Sequence, residues 1–171
     1  MHVLFTYSLL EEIKNIIDII FHKDEYKNMK SIVYPSVSKF IAQKRDQKEK
    51  IAQLNNLWPR IETKFNVAIG SLGLKYDFDN ITCFVHTFGC EGWCNVDKNQ
   101  IHIRTEESSL ENIGDSIIHE IIHLVTYKKG STFNEREQLV DKYMSTESIQ
   151  NLLTEVKISA NVSDEVRGSS T

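Results

Sequence analysis

Between Leu9 and Phe21 the residues Leu9, Ile13, Ile16, Ile17 and Ile20 recur at three- and four-residue spacing. That spacing predicts an amphipathic helix with one buried stripe. Tyr34-Pro35 breaks the pattern, because proline pushes the residue before it out of helical conformation. Val37, Phe40, Ile41, Ile51, Leu54 and Leu57 predict a second long helix, with the charged stretch Lys44 to Lys50 on its solvent side. Trp58-Pro59 is expected to end that helix and open another, carried by Ile61, Phe65, Ala68, Ile69 and Leu72, since proline is accepted at a first helical position. A boundary therefore falls near Trp58. Residues 1–57 read as a helical N-terminal segment, 58–160 as the main domain and 161–171 as a flexible polar tail.

Beyond Gly73 the texture changes. Ile81 to Phe88 is rich in β-formers, and Trp93 to Val96 and Gln100 to Arg104 flank Asp97-Lys98-Asn99, a hairpin signal. Leu110 to Tyr127 and Phe133 to Met144 then predict two helices joined by Lys128-Lys129-Gly130-Ser131-Thr132, with a further helix near Glu147 to Val156. The expected fold class is α+β: a small sheet of three strands or more, two helices after it and a helical segment before it.

The chain has 171 residues, 40% of them hydrophobic, enough for one compact domain plus an accessory element. Twenty Lys and Arg against 24 Asp and Glu leave a net charge of -4, so no broad field for gripping nucleic acid is implied. Cys83, Cys90 and Cys94 are odd in number, and the Cys-x3-Cys spacing lacks the second knuckle of a structural zinc ribbon. Reduced thiols and a cytoplasmic location are expected. Met1 to Leu10 carries no Lys or Arg and meets Glu11 and Glu12 at once, a poor secretory signal. The apolar pattern from Leu9 to Phe21 is interrupted by five polar residues and falls short of the ~20 apolar residues of a membrane span.

The chemistry is concentrated in His119-Glu120-Ile121-Ile122-His123. Residues four apart share a helix face, so both imidazoles can reach a single Zn2+, while Glu120 sits one step round where it can touch a water. On a wheel of ~100° per residue, Asn112, Asp115, Ser116, His119, Glu120, His123 and Tyr127 form one polar stripe. Ile113, Ile117, Ile118, Ile121, Ile122, Leu124 and Val125 cover the remainder. A helix that is polar only where the motif points favours a metal over a chance motif facing water or a lone core histidine.

A catalytic zinc takes three protein ligands and leaves one position open. Glu135, Glu137 and Asp141 lie downstream. If the two helices form an antiparallel hairpin turning at Gly130, His123 and Glu137 are equidistant from the turn, and so are His119 and Asp141. Glu137 and Asp141 flank the apolar stripe of Phe133, Val140 and Met144, whereas Glu135 points away. Glu137 is the expected third ligand, and Asp141 the carboxylate that orients the His119 ring.

The pattern resembles that of the gluzincin metallopeptidases of the thermolysin group: His119-Glu120-x-x-His123 on one helix, then Glu137-x-x-x-Asp141 on a second. Arg136 stands where thermolysin-like sequences have Asn, and the gap before Glu137 is nearer that of minimal single-domain gluzincins. The resemblance implies a zincin-like domain, one zinc per chain and a peptide or protein substrate. It also implies that Ile101 to Arg104 is an edge strand on the cleft rim, to which an extended peptide adds its backbone, with His102 and Arg104 on its wet face. Glu120 would act as general base on a zinc-activated water, and Tyr127 or Tyr143 would stabilise the oxyanion. Two rival readings stand beside this one: a zincin-fold binding or regulatory module without catalysis, and a helical interaction protein with a fortuitous motif. An intact Glu120 disfavours the first, because a purely structural zinc needs no base.

Overall fold

The computed structural model describes residues 1–27, 32–130 and 132–168, so Ser131 of the expected turn and the last three residues lie outside the described residues. The chain is of mixed α and β type. Strand β1 (His2–Thr6) is followed by helix α1 (Leu9–Phe21), a single turn α2 (Lys23–Tyr26) and the long helix α3 (Val37–Ser71). Strands β2 (Asn80–His86), β3 (Gly92–Asn95) and β4 (Gln100–Arg104) come next, then helices α4 (Leu110–Thr126), α5 (Phe133–Met144) and α6 (Glu147–Gly168).

The sheet has four strands in the order β1-β2-β4-β3, not the minimum of three. β1 and β4 run parallel to β2, and β3 is antiparallel to β4. The expected hairpin forms: a 3-10 turn over Val96–Lys98 leads into Asn99, whose φ of 51° is the left-handed conformation that asparagine tolerates best after glycine. β4, however, is an inner strand, paired on both sides, so it is not the rim of a cleft. The edge strand beside it is β3.

Strand alternation divides the sheet into two faces. Val3, Ile81, Cys83, Val85, Ile101 and Ile103 point into the main core against α3, α4 and α6. Phe84, His86, His102 and Trp93 lie on the opposite face.

Helix α3 runs unbroken through Trp58-Pro59. An interior proline costs about 3 kcal/mol, but Leu54, Leu57, Trp58, Ile61, Phe65 and Ile69 are all buried on one continuous stripe across it. At about 1.5–3 kcal/mol for each large side chain buried, packing outweighs the local break. The boundary expected near Trp58 thus falls inside a helix, and β1 ties the first residues into the sheet. Helix α6 likewise continues past Ala160 to Gly168 rather than giving way to a tail.

Helix α1 begins where expected, capped by Ser8, whose hydroxyl accepts from the Glu11 N–H. Its orientation is the reverse of the expected one. Glu12 and Ile19 are buried, while Leu9, Ile13, Ile17 and Ile20 are exposed.

Candidate metal centre

Helices α4 and α5 build the site. Ser109 caps α4 by accepting from the Asn112 N–H, and the helix packs into the core through Ile113, Ile117, Ile118, Ile121 and Ile122. Gly114 lets α6 come close: a Cβ there would meet Val156 Cγ1 at 2.5 Å. With its apolar sides buried, α4 leaves His119 and His123 partly buried on one flank.

A short connection returns the chain. Gly130 is demanded by proximity, since a Cβ at that position would lie 2.7 Å from Arg136 Cγ and 3.1 Å from the Arg136 amide nitrogen. Thr132 then caps α5 through a reciprocal box: its hydroxyl accepts from the Glu135 N–H at 3.2 Å, and the Glu135 carboxylate accepts from the Thr132 N–H at 3.0 Å. Glu135, set aside as a ligand on the sequence, is therefore committed to starting the helix that carries Glu137.

The structure brings together His119, His123 and Glu137. Nε2 of His123 lies 3.0 Å from Nε2 of His119 and 3.3 Å from Oε1 of Glu137, and ligand atoms of all three fall within 4.8 Å of one another. In a tetrahedral zinc site with bonds of ~2.0–2.1 Å, adjacent donors sit about 3.3–3.4 Å apart. The His119–His123 and His123–Glu137 separations are close to that spacing, so the three groups could hold such an ion. Burial lowers the pKa of both histidines, helped by His123 at His119 and by Arg136 at His123. The shift favours the neutral imidazole, the form that ligates. Among the described residues this is the one such grouping of three.

Glu120 is outside the ligand set and almost fully buried. Burial, then the charge of Glu137, raises its pKa to about 8. Its side chain is pressed against strand β3: a Cβ on Gly92 would lie 2.8 Å from Glu120 Oε1 and 2.9 Å from its Cγ. Cys94, on the same face of β3, is kept as a thiol, its pKa pushed up to about 12 by burial and the charges of Glu120 and Glu137. Gly92 was not singled out from the sequence, although a glycine inside a strand is a signal of close backbone approach.

The remaining expectations fare unevenly. Asp141 influences both imidazoles through its charge, but no hydrogen bond joins it to either ring among the described residues. Tyr127 is exposed at the end of α4, with the Arg136 guanidinium 4.6 Å from its ring centroid. Tyr143 packs against the main core and lies under Lys129. His102 and Arg104, read as the wet face of a rim strand, are buried.

The back of the sheet holds a polar network that sequence reasoning missed. The fully buried Glu12 carboxylate pairs with His86 Nδ1 at 2.8 Å and accepts from the backbone N–H groups of Thr87 and Phe88. His86 Nε2 lies 2.8 Å from His102 Nδ1, and the His102 ring stacks on Trp93 with centroids 3.5 Å apart. Burial, then His86, lowers the His102 pKa to about 3. No local pattern announces such a network, because its members come from positions 12, 86, 93 and 102.

Compared with protein-family models, with curated proteins and with solved structures, the chain matches none. No helix among the described residues is long and apolar enough to cross a membrane.

Proposed function

We propose that this protein is a single-zinc hydrolase, a metallopeptidase of gluzincin type, with the ion held by His119, His123 and Glu137. The observation that carries the reading is the separation of roles at one place. Three donors converge from two helices, while Glu120, adjacent to His119 in sequence, stands apart from them against the edge strand. When bound, zinc would polarise the scissile carbonyl and acidify a water.

Glu120 would accept the proton of the attacking water and return it to the leaving amine. A carboxylate whose pKa is raised toward neutrality by burial suits that exchange. Strand β3 would orient the substrate: it is the edge strand on the α4 side of the sheet, its Gly92 lies against Glu120, and an extended peptide can hydrogen-bond to such an edge as a further strand. Three unpaired thiols suit a reducing compartment, and we place the protein in the cytoplasm.

The test is zinc content together with turnover. Purified protein should bind one zinc per chain, and His123→Ala should abolish binding. Zinc-loaded wild type should cleave members of an unbiased peptide library, and Glu120→Gln should keep zinc and fold but lose cleavage. A zinc-loaded wild type that cleaves nothing would replace this reading with that of a binding module. Absence of zinc after reconstitution would remove both.

A further inference from the structure

Helix α1 turns its apolar side outward. Leu10, Ile13, Ile17 and Ile20 are 63, 39, 47 and 60% exposed, and Phe21 beside them is 79% exposed. The four recur at three-, four- and three-residue spacing, which is the seam of a two-helix coiled coil. This orientation is specified, not incidental. The inner side of α1 is fixed by Glu12, bonded to His86, Thr87 and Phe88, and by Asn15, whose Nδ2 donates to the Phe88 carbonyl at 2.7 Å. Turning the helix to bury its leucine and isoleucines would strip a buried carboxylate of every partner.

We propose that this stripe is a homodimer interface, in which α1 packs antiparallel against α1 of a second copy about a two-fold axis. The spacing is self-complementary. About a centre between Ile13 and Ile17, Ile13 of one copy meets Ile17 of the other, and Leu10 meets Ile20. At the Ile20 end lies a groove of about 460 Å³ lined by Ile19, Ile20, Lys23, Tyr34 and Pro35, where Leu10 of the second copy would arrive. With Leu9 and Phe21, six large apolar side chains stand exposed side by side on one short helix, a contiguous patch of the kind that marks an interaction site.

Charge argues for a second copy over a lipid surface. The flanks carry Glu11, Asp18 and Asp24 against Lys14 and Lys23, and Lys14 and Asp18 are already paired within the chain, with Glu11 and with His22 and Tyr26. Helices that lie on anionic membranes are flanked by an excess of Lys and Arg.

Sedimentation equilibrium tests the proposal on the full chain. Wild type should run at twice the 19.8 kDa of one chain with a dissociation constant of ~10 μM or tighter. Ile13→Lys/Ile17→Lys should run as monomer while keeping its circular dichroism and zinc content, because both positions face solvent. Ile13→Lys/Ile17→Glu should dimerise at least ~10-fold more tightly than the double lysine variant, since an antiparallel pair sets Lys against Glu where a parallel pair sets like against like. A monomeric wild type at ~100 μM, or a double lysine variant that still dimerises, overturns the proposal. So does a monomeric wild type that pellets with phosphatidylcholine–phosphatidylserine vesicles, which would assign the stripe to a membrane.

Discussion

Gly92→Ala puts the placement of Glu120 to the test with a single methyl group. The new Cβ would sit 2.8 Å from Oε1, 2.9 Å from Cγ and 3.2 Å from Cδ of Glu120, where ordinary contact begins at 3.4 Å. A carboxylate alone could swing away. The Cγ contact cannot be relieved by that swing, so either the whole side chain changes rotamer or β3 shifts by about half an ångström. Overpacking a buried site costs about 1–3 kcal/mol, offset by about 0.4–1 kcal/mol from the stiffer unfolded chain, so a net loss of about 1–2 kcal/mol is expected. Because the ligands sit on α4 and α5, zinc affinity should change by less than ~3-fold. A general base contributes ~10²–10⁴-fold and a displacement near 1 Å can cost ~10²-fold, so turnover should fall ~10–100-fold. Chelator competition reads zinc affinity, library cleavage reads turnover, and denaturant unfolding reads stability. A readout independent of activity comes from the double-mutant cycle: in a Glu120→Ala background the stability cost of Gly92→Ala should vanish. Wild-type turnover in Gly92→Ala, or the same cost with and without the Glu120 side chain, would refute the reasoning.

Other outcomes follow from the same geometry. Glu137→Ala should weaken zinc binding strongly and Glu135→Ala hardly at all, while Glu135→Ala should lower stability by about 1 kcal/mol through loss of the α5 cap; equal effects on zinc would sink the assignment. The pKa of Asp115 is raised to about 6 by burial and by Glu111, and its Oδ1 has no hydrogen-bond partner among the described residues. Its contribution is therefore favourable while protonated and is lost as pH rises from about 4 through 6. Asp115→Asn should then stabilise the protein by about 1 kcal/mol at pH 7, after allowance for solvent screening, and not at pH 4. His102, with its pKa lowered to about 3, is held neutral, so stability should fall as pH drops below ~6.5, by about 2 kcal/mol at pH 5. A His102→Phe variant, which keeps an aromatic ring against Trp93 but cannot titrate, should lose less between pH 7 and pH 5 by denaturant unfolding; an unchanged acid loss would show that other groups carry it.

The metal-site grouping was legible in the sequence because it is local. His119, His123 and Glu137 lie on two consecutive helices, and the 3.6-residue period with a glycine between them fixes which side chains meet. For Asp141 the sequence register gives adjacency, and its charge reaches both imidazoles, but register does not give the direction of a carboxylate. Strand order was not legible: Ile101 to Arg104 has the alternation of a half-wet edge strand, yet His102 is covered by stacking on Trp93, Phe84 and His86, and Arg104 is buried with its guanidinium donating to the Gly89 carbonyl. The same cause misdirected α1. Periodicity finds an apolar stripe, but which side of the helix is buried was decided by a carboxylate whose partners lie more than seventy residues away. At Trp58-Pro59 a local rule met a long apolar stripe, and the stripe prevailed.

Strand β1 has a consequence for how the chain reaches its native state. Its register runs from His2 opposite Asn80 to Thr6 opposite Phe84, so its residues wait for partners that are made only after α1, α2 and the whole of α3. Until then Val3 and Phe5 have no sheet to join, and α1 is without the His86 that anchors Glu12. Closing so long a loop is slow compared with forming α3 or the hairpin of α4 and α5. The helical half should thus condense first, with the N-terminal strand docking last, as the stave that completes the sheet.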